Sequence, residues 1–305
     1  MGQIVAGTGD IVRNLLPGLK TTFMAGWNQV DLPWKQIATE VASTLATENY
    51  AWLGQPPVVR EWIDERVPKG LSEYGYTLKN LKWETSIRVD AEVLEDEQYG
   101  QVKMRVSQMP GAVARHQNIL VFNLLSGGHT NLCYDGSNFF DTTHSEGNSG
   151  TQVNYYPSGM ALTAANYGTV RAAMMQYKDD QGQLVGSMPT ALLVPAQLEE
   201  QARIILHADL ITNDASTATQ SNIWKNSAKL IVVPWLTDAT QWFLLDLSAY
   251  VKPVIFQNRI PLQFKALDGG SDSDAVFMRD AFLYGVRARY NAGYGDWRTA
   301  VSASA

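Results

Sequence analysis

From Leu81 to Val89 every second residue changes character. Leu81, Trp83, Thr85, Ile87 and Val89 fall on one side, and Lys82, Glu84, Ser86 and Arg88 on the other. A period of two is the signature of a β-strand with one face buried and the other wet. Nine residues at strand rise reach roughly 30 Å. The preceding Tyr74–Lys79 is its expected hairpin partner, and so long an exposed edge invites another chain to cover it. A second strand-like run, Val276–Arg289, is bulky and apolar but interrupted by Arg279, Arg287 and Arg289, and an Asn-Ala-Gly-Tyr-Gly turn and Trp297 follow it. Lys252–Phe264 reads as its neighbour, joined to it through an acidic Gly/Ser loop. Long surface-building strands of this kind point to assembly rather than catalysis.

At 305 residues the chain can bury an ample core in one large or two ordinary domains. Only 18% of its residues are charged, and it holds nine tryptophans and thirteen tyrosines, the residue types favoured in buried contacts between proteins. The same aromatics would also serve as clusters inside a single subunit. The formal net charge of −6 comes without a basic cluster, which argues against tight binding of nucleic acid by phosphate neutralisation. A weakly acidic wall lets nucleic acid lie beside it without sticking. The single cysteine, Cys133, permits no intramolecular disulfide and suits a reducing compartment. The start of the chain lacks a signal-peptide pattern and a Ser or Thr at position 6 for myristoylation, and no apolar run approaches membrane length. A soluble protein made in the cytoplasm is expected.

Along the chain, Ile11–Met24 and Trp34–Thr47 carry helical periodicity broken by Pro17-Gly18 and Pro33, and read as an arm lying on something else. Tyr50–Trp62 is dense in aromatics and prolines and reads as extended. Glu92, Glu95, Asp96 and Glu97 precede a helical pattern from Tyr99 to Leu125 that closes at Gly127-Gly128. Pro110-Gly111 sits in its middle, so either the helix kinks or two helices meet there; a continuous helix would be roughly 40 Å long. Residues 130–160 are turn-rich. A compact α/β stretch then places helices at Thr163–Tyr177 and Ala196–His207 and strands at Ala191–Val194, Leu230–Val233 and Trp242–Asp246.

Candidate chemistry is thin. Asp141, His144 and Cys133 lie close in sequence and admit a hydrolase or metal reading, but neither a G-x-S-x-G elbow nor an H-E-x-x-H helix accompanies them. His116 and His129 lack a ligand at i+4 and read as structural. Asp268, Asp272 and Asp274 resemble a calcium loop only loosely, without its glycine position and terminal Glu. Gly7-Thr8-Gly9 has no Lys after it and is no phosphate loop. No catalytic residue, cofactor or metal is expected.

The residues resemble a known family in order and spacing. Tyr50-Ala-Trp-Leu-Gly54, Arg60-Glu61-Trp62, Trp83-Glu84, Glu95-Asp96 before Gly100, and Cys133-Tyr134-Asp135-Gly136 leading to Phe139-Phe140-Asp141 and His144 all match. So do Trp242–Asp246, Lys252–Gln257, Val276–Arg279, Phe282–Val286 and Asn291–Gly295. Together these are similar to the major head subunit of Mu-like phages and prophages, the gpT family.

That resemblance implies an α+β capsid fold of the Hong Kong 97 type. Residues 1–50 would be an N-terminal arm and 51–95 an extended loop reaching over a neighbour. Residues 96–155 would open a peripheral domain with a spine helix, 156–248 would form an axial domain, and 249–305 would return to the peripheral domain. The partners implied are further copies of the chain in hexamers and pentamers, with scaffold, portal and possible decoration proteins, around double-stranded DNA bound without sequence specificity. Assembly would take place in the bacterial host cytoplasm and the product would be the virion. Inter-subunit contacts are expected at Trp52, Trp62, Trp83 and Arg88, with ion pairs at Arg279, Arg287 and Arg289. An encapsulin-like nanocompartment is the nearest alternative, and a hydrolase using Asp141 and His144 ranks last.

Overall fold

The computed structural model describes residues 8–50, 53, 75–90, 92–93, 99–212, 219–267 and 281–305, with backbone alone for 8–17 and 99. In chain order the elements are α1 (Thr8–Asn28), α2 (Trp34–Ile37), β1 (Ala38–Ala42), β2 (Thr47–Asn49), β3 (Thr77–Lys79), β4 (Leu81–Asp90) and α3 (Tyr99–Ser126). There follow β5 (Tyr155–Tyr156), α4 (Ala164–Met174), β6 (Ala191–Pro195), α5 (Glu199–His207), β7 (Leu210–Thr212) and β8 (Thr219–Ser221). The last are β9 (Lys229–Val233), β10 (Trp242–Leu245), β11 (Val254–Leu267), β12 (Ala281–Tyr294) and β13 (Ala300–Ala303). The described residues fall into two compact units: unit 1 within Met1–Pro33, Asn80–Asn118 and Asn258–Asn291, and unit 2 within Trp34–Lys79, Ile119–Gln257 and Ala292–Ala305.

In unit 1 the alternating segment is the expected long strand, but its partner is not the preceding segment. β4 pairs antiparallel with β12, from Ala281 opposite Asp90 to Tyr290 opposite Leu81. A hairpin needs a loop of at least about two residues, and only Asn80 separates β3 from β4; β3 pairs with β2 instead. The inner face of this sheet supplies Val89, Phe282, Tyr284 and Val286 to a core completed by Leu19 and Phe23 of α1 and by Val102, Val106 and Met109 of α3. Spacings of three and four residues put each helical set on one stripe.

Neither Pro17 nor Pro110 ends a helix. α3 runs unbroken through Pro110 for 28 residues, about 42 Å at helical rise. An internal proline forfeits a hydrogen bond and crowds the preceding turn. Here its ring is a packing surface: a Cβ on Gly26 of α1 would stand 3.2 Å from Pro110 Cγ, so α1 meets α3 glycine against proline.

In unit 2 the helical reading of Trp34–Thr47 survives for one turn only, Trp34–Ile37. The β-branched Thr39 and Val41 alternate with Ala38, Glu40 and Ala42 in β1, a pattern suited to strand. The chain then turns around Glu48, whose Oε1 accepts from Thr44 N, Leu45 N and the Ser43 hydroxyl at 2.8–2.9 Å. A five-stranded sheet ordered β5-β13-β10-β6-β9 forms the centre of the unit. β6, β10 and β13 are buried along their whole length, which is why β6 and β10 read as unbroken apolar runs. The side chain of Thr163 caps α4 by accepting from Asn166 N.

The Asn291–Gly295 segment is not a turn. β12 continues through it to Tyr294, and its glycines serve close approach: a Cβ on Gly293 would lie 2.6 Å from the Tyr76 hydroxyl, and one on Gly295 would lie 2.1 Å from the Lys252 carbonyl oxygen. The latter is backbone and cannot swing aside. Gly295→Ala is expected to cost about 2–3 kcal/mol of stability by overpacking, read as a lower urea midpoint; an unchanged midpoint would refute the steric account.

Candidate assembly surface

The helices take one face of the unit 1 sheet, and the other carries charge. Lys82, Glu84, Ser86, Arg88 and Asp90 of β4 stand opposite Arg289, Arg287, Gly285, Leu283 and Ala281 of β12. On the adjacent β11, Pro261, Gln263 and Lys265 are exposed while Leu262, Phe264 and Ala266 pack inward. Arg88 pairs with Asp90 at 2.9 Å, both more than half exposed, a pairing that water and salt leave worth little. Arg287 faces Glu84, whose Oε2 accepts from the Ser86 hydroxyl at 2.6 Å. Arg289 faces Lys82, like charges set directly across a strand pair, and its buried Nε has no hydrogen-bond partner among the described residues. Three of the expected contact residues, Arg88, Arg287 and Arg289, thus share one face.

Trp83 lies on the other face. Its Nε1 donates to the Tyr290 carbonyl at 2.9 Å, and its ring lies 4.2 Å from that of His116 and 5.9 Å from that of Tyr290. His116 Nδ1 meets the Tyr290 hydroxyl at 2.8 Å, and burial lowers the imidazole's pKa, which keeps it neutral at pH 7. Val113, Leu262 and Val286 help to line a crevice of about 130 Å³ here. Trp52, Trp62 and Arg279 lie outside the described residues. Because Trp83 packs within its own subunit, Trp83→Ala is expected to lower stability by about 2–3 kcal/mol, with Trp83→Phe retaining most of it; thermal unfolding of the two variants checks this.

Among its described residues unit 2 holds a dense polar cluster, built on a turn. Gly136 adopts the left-handed region, φ +84°, where it can return its N–H to Cys133 O. Asp135 then accepts from Ser137 N at 2.9 Å, Cys133 Sγ at 3.0 Å and His144 Nδ1 at 2.6 Å. His144 stacks on Trp297 at 4.0 Å between centroids. Beside them Arg298 and Glu146, each at most 2% exposed, form an ion pair at 2.8 Å. Glu146 also accepts from Trp297 Nε1 and the Tyr134 hydroxyl, which in turn accepts from Arg298 Nη1.

The electrostatics make this a staple and not a reactive centre. Burial works to raise the Asp135 pKa, but the hydrogen bonds from His144, Cys133 and Ser137 bring it below the ordinary carboxylate value. An ionised Asp135 only accepts, so His144 Nδ1 and the Cys133 thiol both donate to it. Burial and then the Asp135 charge push the Cys133 thiol far up, so it is no nucleophile. Cys133, Asp135 and His144 do lie within 4.8 Å of one another. A metal would need the two atoms that donate, and a ligating imidazole needs an acceptor for its second N–H; His144 Nε2 is buried without one among the described residues. The last-ranked hydrolase reading, which joined His144 to Asp141, has no such pair behind it. Asp141 accepts from Thr143, and the imidazole's carboxylate is Asp135. Sequence spacing hid Arg298, which lies 152 residues from its partner Glu146.

A buried charge stripped of its partner costs about 3–5 kcal/mol. Arg298→Met is therefore expected to lose stability on that scale, and Arg298→Met/Glu146→Leu to recover at least half. A double variant no better than the single, compared by urea unfolding, would show that the ion pair is not what Arg298 supplies.

The family described as Mu-like prophage major head subunit gpT matches residues 12–157, 150–236 and 237–305. The chain belongs to this family. It is 29% identical to the Mu-like prophage FluMu major head subunit of Haemophilus influenzae over 96% of its own length and 73% of that protein's. It is 25% identical to the major capsid protein of Escherichia phage Mu, over 95% and 72%. Among solved structures, the procapsid of bacteriophage JBD30 contains a chain with 28% identity and a TM-score of 0.58, over 96% of this chain and 75% of that one. The protein is thus a structural capsid subunit of a Mu-like phage head, a virion component with the Hong Kong 97 type of fold, and not an enzyme. Copies of it assemble into a shell. No helix among the described residues is long and apolar enough to cross a membrane.

Proposed function

We propose that the subunits gather as hexamers and pentamers and close an icosahedral head around double-stranded DNA. The observation that carries this reading is the likeness to the JBD30 procapsid chain over 96% of the sequence. Rotational repetition of unlike contacts closes such rings without new chemistry, and a subunit of net charge −6 gives DNA no reason to adhere to its wall.

In this reading 1–50 is the arm, 51–95 the extended loop, α3 the spine of the peripheral domain beginning at 96, 156–248 the axial domain and 249–305 the return strands. The 28-residue length of α3 supports the spine role. The sheet centred on β10 and β6 gives unit 2 a core suited to an axial domain, with β13 of the return segment completing it, and residues 156–248 lie wholly within that unit. Arg88, Arg287 and Arg289 act at contacts between subunits. Trp52, Trp62 and Arg279 belong to the same set by residue type, and Trp83 contributes by holding its strand in place. A scaffold, a portal and possible decoration proteins complete the head, which forms in the bacterial host cytoplasm.

Expression of the chain in bacteria and electron microscopy of the purified product test this. Closed shells, or rings with five-fold and six-fold symmetry, are expected, with nucleic acid and not a protein cargo as the packaged content. Uniform small particles at every concentration, with or without the neighbouring head proteins, would overturn it.

A further inference from the structure

Every residue lining the crevice beside Trp83 belongs to unit 1. On the inward face of the sheet Trp83 stands opposite Ala288, and Thr85 opposite Val286. Met109 is the last α3 residue of the packed core. One helical turn further on, α3 brings only Ala112 and Val113 toward the sheet, with His116 beyond them. The two alanines leave space that longer side chains would take, and the crevice there measures about 130 Å³. An apolar cavity of about 150 Å³ stays dry and admits benzene.

The walls are of two kinds. Val113, Val286 and Ala288 are apolar and at most 9% exposed. Opposite chemistry comes from the rings of Trp83, His116 and Tyr290, with His116 at 4.2 Å from Trp83 and 5.9 Å from Tyr290. Such rings hold a further ring offset or edge-on. Trp83 Nε1 and the Tyr290 hydroxyl are committed within the subunit. The Thr85 hydroxyl and His116 Nε2 bond no described residue, which leaves a polar anchor for an occupant. Glu84 is the one carboxylate among the described lining residues and repels an anion. Burial keeps His116 neutral, so the imidazole supplies no opposing charge. A cation would have to give up water to apolar walls, which is costly.

We propose that this crevice binds a small uncharged aromatic molecule carrying one polar atom, of the indole or phenol class, between α3 and the paired β4 and β12. The site lies on the helix side of the sheet, apart from the charged face assigned to subunit contacts. An occupant would touch both strands and the helix at once, and would stabilise the folded chain in step with its occupancy.

Titration of the full chain with indole, followed by methyl NMR, tests this. Saturable shifts are expected at Val113, Leu262 and Val286, with a dissociation constant on the order of 1 mM or below. The thermal midpoint should rise along the same binding curve. Benzoate and benzylamine, one anionic and one cationic at neutral pH, should bind at least about tenfold more weakly. Ala112→Leu should fill the space and weaken indole at least about tenfold, with circular dichroism showing that it folds. The proposal is overturned if no saturable shift develops up to the solubility of indole, or if the shifted methyls lie elsewhere. It is equally overturned if the charged probes bind as tightly, or if folded Ala112→Leu binds like wild type. Should Ala112→Leu fail to fold, the wild-type methyl shifts decide alone. None of these failures touches the capsid reading, which is judged by microscopy.

Discussion

The antiparallel register between β4 and β12 is the constraint on which the rest of unit 1 depends. The two strands lie almost two hundred residues apart in sequence and pair over ten positions, Leu81–Asp90 against Ala281–Tyr290. Side chains alternate across a strand with a period of two, so a slip of one residue would turn every arginine inward and every core residue outward. The register therefore fixes two things together. It aligns Val89, Phe282, Tyr284 and Val286 under the helices, and it lines Lys82, Glu84 and Arg88 beside Arg289, Arg287 and Leu283 on the open face. Core and charged surface are two consequences of one hydrogen-bond ladder.

The helices follow from that core. α1 and α3 each present a stripe at three-and-four spacing, and both continue past prolines that local propensity would treat as stops. The penalty for a proline inside a helix is about 3 kcal/mol, and burial of apolar surface at roughly 25 cal/mol per Å² can offset it. The meeting of Pro110 with Gly26 shows how: removal of a side chain on one helix makes room for the ring on the other. Tertiary packing outweighs local preference here, and a sequence window centred on Pro110 contains no sign of Gly26.

Much of this was legible in the residues and some could not have been. The period-two alternation of Leu81–Val89 identified a half-exposed strand, the apolar runs identified β6 and β10, and the ordered motifs identified the family. Pairing was harder, because nothing in Tyr74–Lys79 reveals that β3 belongs with β2 and β4 with β12. Trp34–Thr47 misled because apolar spacing over a few residues suits helix and strand alike, and Thr39 and Val41 decided for strand. Glycine misled at Gly293 and Gly295, where the missing Cβ makes room for a neighbouring hydroxyl or carbonyl inside and just beyond a strand rather than bending a turn. The polar centre was half legible. Cys133 and His144 stood out by type, whereas Asp135 and Arg298 acquire meaning only through contacts the fold creates.

The two units treat charge in opposite ways, and the contrast bears on assembly. In unit 2 the buried Arg298 meets Glu146 at 2.8 Å and the Tyr134 hydroxyl at 2.7 Å within its own chain. Burial disfavours the charged guanidinium, but Asp296, Tyr134 and Glu146 more than compensate and hold it ionised. Charges enclosed in this way are fixed before any neighbour arrives. In unit 1, Lys82, Arg287 and Arg289 stand on a half-exposed sheet face, Arg287 opposite Glu84, and form no ion pair among the described residues. Water screens them in the free subunit at little cost. The polar cluster of unit 2 is complete within one subunit, whereas the charges of the unit 1 face are left to water.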